Sequence, residues 1–232
     1  MNRHGPLLSR PSLRAAGGRT VLVALGLSVV VALVAWYIVG WLMRSPATVA
    51  ARSVDGSPIV QLRLQTVASL GPRYAHPTWV SYLVQDDGGE WQHSTNYSLP
   101  ANTTVQVTIE QYDGASGLRN PFFAQPQGVS EFRVDGKAVR VVDPTAVGHT
   151  FAVPELGIYV PLPGVSDSAQ NQCSEAPCST KQAHRTVTFT IKTGKRGRYR
   201  WQCFVPCAAG WINGLGGPMQ TVGYMDGFFE VV

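Results

Sequence analysis

The stretch Val105-Gln106-Val107-Thr108-Ile109-Glu110 alternates apolar and polar residues with a period of two. That spacing turns one face of a β-strand inward and leaves the other wet. The same pattern recurs at Val60-Gln61-Leu62-Arg63-Leu64-Gln65, at Val187-Thr188-Phe189-Thr190-Ile191 and at Tyr199-Arg200-Trp201-Gln202-Cys203. Turn-forming segments separate these runs: Asp86-Asp87-Gly88-Gly89, Asp135-Gly136 between FRV and KAV, and Thr193-Gly194-Lys195. No amphipathic helix of useful length follows residue 43, and no internal repeat is visible. Short strands, turns and one interior predict an all-β domain, an antiparallel sandwich or barrel.

Composition agrees. Of 232 residues, 44% are hydrophobic and only 14% charged, which argues against disorder. The 24 Gly and 16 Pro follow no G-X-Y period, which excludes collagen. The net charge of +5 has a single source. Arg3, Arg10, Arg14, Arg19 and Arg44 lie in residues 1–44, which hold no acid, and the remaining basic and acidic residues balance. A neutral folded part lacks the phosphate-neutralising footprint of a nucleic-acid binder, so no nucleic-acid partner is expected.

Residues 20–43 contain no ionisable side chain except Tyr37. As a helix they rise about 36 Å, enough to cross a hydrocarbon core of roughly 30 Å. Trp36, Tyr37 and Trp41 sit toward the far end, where amphipathic rings favour the headgroup boundary. The expected organisation is a basic cytoplasmic N-terminus (1–19), a single transmembrane helix (20–43), a linker (44–58) and an extracytoplasmic domain (59–232). The arginines before the span set this direction. A cleaved signal peptide, with Val49-Ala50-Ala51 as the cleavage site, is the competing reading; an apolar core of this length exceeds the usual 7–15 or so residues.

Of the four cysteines, Cys173 and Cys178 lie in a polar loop, and their spacing in an oxidising compartment favours a local disulfide. Cys203 and Cys207 are spaced C-x3-C. Crossed pairings remain open on sequence alone.

Two segments carry the remaining chemistry. One is Gly148-His149-Thr150-Phe151-Ala152-Val153-Pro154; the other runs from Gly197-Arg198-Tyr199 through Trp201 and Cys203-Phe204-Val205-Pro206-Cys207 to Pro218-Met219 and Gly223-Tyr224-Met225. Together they resemble cupredoxins, and more closely the copper domain of cytochrome c oxidase subunit II. The resemblance covers residues 100–232 loosely and 146–231 best. It implies a cupredoxin-like Greek-key β-sandwich with a copper site at one end. Carried over position by position, His149 supplies an imidazole and Cys203 and Cys207 the two thiolates. Val205 falls where the family uses a backbone carbonyl. Met219, or alternatively Met225, supplies an axial thioether. The sequence departs from the family at two positions: Trp211 stands where a second His is carried, and Gly214 where a Met is carried.

Thiolate, imidazole and thioether are soft donors suited to copper. Three readings of the constellation are open: a modified copper site, a Cys203–Cys207 disulfide or mere packing, and a site completed by a partner protein or by His76, His93 or His184. A C-x3-C without a second close pair is a poor zinc pattern. No GxSxG, HExxH or GxxxxGK[ST] motif is present, so no independent enzymatic turnover is expected. The resemblance implies copper as cofactor, and a membrane and a respiratory oxidase complex or redox protein as partners. The role is electron transfer or copper handling. A metal-free interaction module, docking through Trp211 and Phe122-Phe123, is the alternative; folded back, that Phe pair would instead be ordinary core cover. Asn96-Tyr97-Ser98 and Asn102-Thr103-Thr104 are glycosylation sequons.

Overall fold

The computed structural model describes residues 13–42, 45–53, 57–70, 79–207 and 217–232. The chain divides into two units, Met1–Ser45 and Pro46–Val232. In the first, Leu13–Tyr37 is α-helical and Ile38–Leu42 continues as a π-helical turn. Within it, Gly18–Gly40 is a 23-residue helix long and apolar enough to cross a membrane.

The second unit is a sandwich of two sheets. One runs, in spatial order, Thr48–Ala50, Asn96–Leu99, Asp226–Val231, Gly197–Gln202, Val147–Val153 and Ile158–Pro163. The other runs Trp91–Gln92, Ser81–Gln85, Val60–Val67, Thr104–Gln111, Arg185–Lys192, Ser130–Val134 and Lys137–Ala138, with Arg52–Ser53 added beside Val60–Val67. The second unit is thus an all-β, two-layer sandwich, and in the sequence it follows one apolar N-terminal helix. The sheets are mixed rather than purely antiparallel. Val60–Val67 lies parallel to Thr104–Gln111, and Asn96–Leu99 lies parallel to both Thr48–Ala50 and Asp226–Val231. Parallel neighbours need a crossover. Here the chain makes one by leaving the second sheet after Trp91–Gln92 and passing through Asn96–Leu99 of the first.

The alternating runs place their apolar sides inward. Val105, Val107 and Ile109 are fully buried, and they face Ile191, Phe189 and Val187 in an unbroken antiparallel register. Between the sheets sit Trp201, Tyr82, Tyr97, Phe151, Phe189 and Phe229, all fully buried. Trp201 stacks on Phe151 at 5.0 Å and on Tyr97 at 5.7 Å, and its indole N–H donates to the Thr95 carbonyl at 2.8 Å. The Asp135-Gly136 turn adopts positive φ at both residues (50° and 76°), as a two-residue hairpin between twisted strands demands.

Two stretches depart from expectation. Within the segment read as linker, Thr48–Ala50 and Arg52–Ser53 are strands. The segment is captured by side chains of the sandwich: the Ser94 hydroxyl donates to the Ala47 carbonyl, and the Asn96 amide donates to the Pro46 carbonyl at 2.9 Å. Asn96 is thereby buried and engaged, which removes that sequon from modification. The polar loop 164–184 is also less free than its composition suggests. Cys173 and Cys178 form a disulfide, and the Gln65 side chain clasps Cys178 by accepting from its N–H at 3.0 Å and donating to its carbonyl at 2.8 Å. The clipped loop packs over the outer face of the second sheet, beside Val67, Leu83 and Tyr112. This explains why Glu110, which alternation sends outward, is buried; its carboxylate accepts from Arg63 at 2.7 Å, Gln65 at 3.1 Å and Tyr112 at 3.2 Å.

Close strand approach yields one stability prediction. A Cβ on Gly227 would lie 1.9 Å from the carbonyl oxygen of Thr95, which already accepts from Trp201 and from the Phe228 N–H. Gly227→Ala must push two strands apart, so it is expected to cost about 3 kcal/mol, the upper end for overpacking. Chemical denaturation of the full chain reads this directly.

Candidate metal centre

His149 lies on Val147–Val153, a strand buried at every position. The strand carries a register shift between Val147 and His149 against its neighbour Ile158–Pro163. Such a bulge re-aims the side chain that follows it. Cys203 comes immediately after the strand Gly197–Gln202, and its backbone N–H donates to the Met225 carbonyl at 3.0 Å. Thr150 binds the two segments together: its hydroxyl accepts from the Phe204 N–H at 2.7 Å, while its own N–H donates to the Cys203 sulfur at 3.4 Å. The chain then turns to bring Cys207 back, with the Cys207 N–H on the Val205 carbonyl at 2.6 Å.

The result is a convergent cluster. His149 Nδ1 is 2.8 Å from Cys207 Sγ and 3.8 Å from Cys203 Sγ, and the two sulfurs are 3.0 Å apart. Both cysteines are thiols, and all three residues are buried. Among the described residues these form the one His, Cys, Asp or Glu group able to hold a metal ion. Donors that share one ion at about 2.0–2.3 Å lie no more than about 4.6 Å apart, and all three separations meet that bound. An imidazole with two thiolates is a soft set that fits copper.

A residue absent from the sequence-based site closes the far side of the imidazole. His149 Nε2 is 2.8 Å from Asp113 Oδ2. Asp113 lies just beyond Thr104–Gln111, and nothing in its spacing links it to a histidine 36 residues on.

Burial, hydrogen bonds and neighbouring charge set the direction in which each group of the metal-free cluster is shifted. Burial pushes the Cys203 thiol up, but hydrogen bonds from Cys207 and His149, the ring's charge and the Thr150 N–H leave it well below its ordinary value. Burial works to discharge His149, yet its bonds to Asp113 and Cys203 and their charges raise it to about 9. Cys207 is held up by its hydrogen bond to Cys203 and by burial. These directions favour a charged ring with one thiolate shared by the pair, carried chiefly by Cys203 while Cys207 holds its proton.

Asp113 gives the pH dependence. Burial raises it, but the hydrogen bond and charge of His149 and the Gly114 N–H outweigh this and hold it below its ordinary 3.8. A depressed carboxylate adds stability that is present above its unfolded value and lost as pH falls through its folded one. The metal-free, reduced protein is expected to lose stability on acidification below 3.8, and Asp113→Asn to flatten that limb. Urea unfolding across the acid range checks both.

The other expected residues fall as follows. Met219 stands on the turn Pro218–Gln220, partly buried against the same core cluster as Cys203 and Cys207. That turn is tied to the centre through the backbone: the Met225 N–H donates to Pro218 and the Met225 carbonyl accepts from Cys203. Met225 is fully buried in the core. His93 contacts the Gly223 carbonyl and the Tyr224 ring, and His184 Nδ1 lies 2.8 Å from the Gln182 carbonyl, so both are engaged elsewhere. His76, Trp211 and Gly214 lie outside the described residues. The Phe122-Phe123 pair divides: Phe123 is buried, while Phe122 is 46% exposed and packs 4.7 Å from the Tyr159 ring.

No family model matches this chain, and no curated protein matches it. Among solved structures it is similar to the metal-binding domain of the Cu(I)-exporting P-type ATPase CopA of Streptococcus pneumoniae D39 with Cu(I). The identity is 10% and the TM-score 0.36, over 82% of this chain and 99% of that one. It is similar to rusticyanin from Thiobacillus ferrooxidans at 16% identity and a TM-score of 0.32, over 80% of this chain and 82% of that one. A further structure of the copper protein rusticyanin matches at 14% identity and a TM-score of 0.32, over 84% and 92%.

Proposed function

We propose that this chain is a membrane-anchored, cupredoxin-like copper protein, with His149, Cys203 and Cys207 as ligands and Met219 as a further sulfur donor. The observation that carries it is the convergence of one imidazole nitrogen and two thiol sulfurs within 4.8 Å inside a rigid sandwich. Bound there, copper would supply one-electron chemistry or a soft Cu(I) cargo site. The protein's own part is to hold three donors in place before metal arrives, to keep water out, and to release the thiol and ring protons as the ion enters. The apolar helix supplies the anchor, and the arginines before it orient the sandwich outside the cell. Electron transfer or copper handling beside a respiratory oxidase is the setting this combination fits.

The test uses the full chain, purified anaerobically in detergent. It is expected to bind one copper equivalent per chain tightly enough to survive gel filtration, with a sulfur-to-copper charge-transfer band in the Cu(II) form. No retained copper with both thiols reduced would end the proposal. A second reading, a metal-free interaction module closed by a Cys203–Cys207 disulfide, is favoured by one observation: the sulfurs already lie 3.0 Å apart.

A further inference from the structure

We infer that Asp113 is a positioning residue of this centre: through His149 Nε2 it fixes which imidazole nitrogen faces the two sulfurs. The inference rests on the copper reading of the site and adds to it a residue outside the ligand set.

An ionised carboxylate only accepts. The 2.8 Å contact from His149 Nε2 to Asp113 Oδ2 therefore keeps a proton on Nε2. In the neutral ring Nδ1 then carries the free lone pair, and in the imidazolium Nδ1 is the nitrogen that gives up its proton to an entering metal; in both states Nδ1 is the atom aimed at Cys207 and Cys203. Without the carboxylate, the ring has no fixed partner on its outer edge. It is then free to rotate about its side-chain bonds or to present the other nitrogen.

The carboxylate is itself held by a purpose-shaped backbone. Its second oxygen, Oδ1, accepts from the Gly114 N–H at 2.8 Å. The Asp113 carbonyl accepts from Val165 at 2.9 Å. The next residues are stitched to the start of the His149 strand, with the Ser116 N–H on the Val147 carbonyl at 2.9 Å and the Gly117 N–H on the Thr145 carbonyl at 3.1 Å. Gly114 is wedged between two other glycines. A Cβ on Gly148 would fall 2.2 Å from the Gly114 oxygen, and one on Gly164 would fall 2.4 Å from the same atom. Three glycines from separate segments thus let the loop approach closely enough for Asp113 to reach the ring. Gly148 adjoins the very histidine that the loop contacts. The carboxylate bears on the ligand rather than on the fold at large, since its side chain touches only His149 and the neighbouring Gly114 amide among the hydrogen bonds of the described residues.

The experiment compares full-length wild type, Asp113→Ala, Asp113→Asn, Asp113→Glu and Gly164→Ala, each with selectively ¹⁵N-labelled histidine. In the metal-free, reduced protein, a slowly exchanging downfield ring N–H signal on Nε2 of His149 is expected in wild type and lost in Asp113→Ala and Gly164→Ala. His149→Gln assigns the signal by its absence. In the loaded protein, Asp113→Ala is expected to weaken copper binding about 10–100-fold, the usual cost of removing an outer partner of a metal-bound histidine. It is also expected to change the remote-nitrogen coupling of the imidazole, with Asp113→Glu recovering part of both. Asp113→Asn keeps the shape and an acceptor without the charge, so it reports on a folded protein should the alanine variant unfold; an intermediate loss is expected. A wild-type ring signal that persists in folded Asp113→Ala or Gly164→Ala, or copper affinity and nitrogen coupling unchanged in Asp113→Ala and Asp113→Asn, overturns the inference. Failure of wild type to bind copper overturns the function proposed above, while the ring signal of the metal-free protein still decides the role of Asp113.

Discussion

Cys203→Ser is expected to abolish tight copper binding and to destabilise the metal-free protein as well, whereas Cys207→Ser abolishes binding at much smaller structural cost. The two thiols are equivalent as prospective ligands but not in the empty centre. Cys203 is the anionic sulfur, receiving the Thr150 N–H at 3.4 Å and the Cys207 thiol at 3.0 Å beside the charged imidazole. Removing that anion leaves a buried imidazolium short of one counter-charge, and breaking a buried ion pair typically costs about 3–5 kcal/mol. Cys207 is the neutral donor, and a serine hydroxyl still donates. Its replacement alters two contacts in place, with Cys203 at 3.0 Å and His149 Nδ1 at 2.8 Å, each worth about 1 kcal/mol or less when a donor remains. For the metal, either change removes a thiolate outright, so affinity is expected to fall beyond the roughly 100-fold that loss of an outer partner reaches. Anaerobic competition against a chromogenic chelator and urea unfolding of the two variants read the two effects separately. Wild-type copper affinity in Cys203→Ser would place the metal elsewhere. Equal stability losses in the two variants would show that the proton is not distributed as described.

The sandwich was legible in the sequence where one strand face is wet, and illegible where both are dry. Val60–Val67, Thr104–Gln111 and Arg185–Lys192 announce themselves because solvent on one side enforces the alternation. The strand of His149 does not, since all seven of its residues are buried and no period can appear. There only the motif GHTFAVP, paired with C-x3-C downstream, marked it. Alternation also reports faces and not neighbours, so the parallel pairing of Val60–Val67 with Thr104–Gln111 left no trace in either run. Glu110 violates its own pattern because a disulfide-clipped loop covers it from a distant part of the chain. The three candidate donors could be named from residue type and order, because soft donors in that order are scarce in a chain with few Cys and His. Asp113 could not. Its link to His149 depends on how closely Gly114, Gly148 and Gly164 let three segments approach, and nothing in spacing encodes that.

The oxidation state of the Cys203–Cys207 pair is where the copper protein and the metal-free module part company, and the difference is expected to be all-or-none. Closing the pair removes two protons and two electrons from the thiols and passes them to an oxidant such as diamide, which becomes the hydrazine. The sulfurs, 3.0 Å apart, then draw in to about 2.05 Å. Cys203 is pinned by its N–H on Met225 and by Thr150, so Cys207, on the turn, is the half that moves. His149 would keep Asp113 and lose the Cys203 thiolate that helps hold its charge, so burial favours the neutral ring. Diamide-treated protein should therefore retain no copper, and a phosphine reductant should restore full binding while two alkylatable thiols return. Because Cys203 is fully buried and Cys207 is 6% exposed, closure is expected to be slow. Prior loading with copper should block it, since both sulfurs are then committed to the metal. The decisive measurement is differential alkylation with mass spectrometry on protein isolated without reductant. For a copper protein, Cys203 and Cys207 alkylate once the metal is chelated away, while Cys173–Cys178 stays closed. A Cys203–Cys207 disulfide in freshly isolated, metal-free chain would give the site to the interaction module instead.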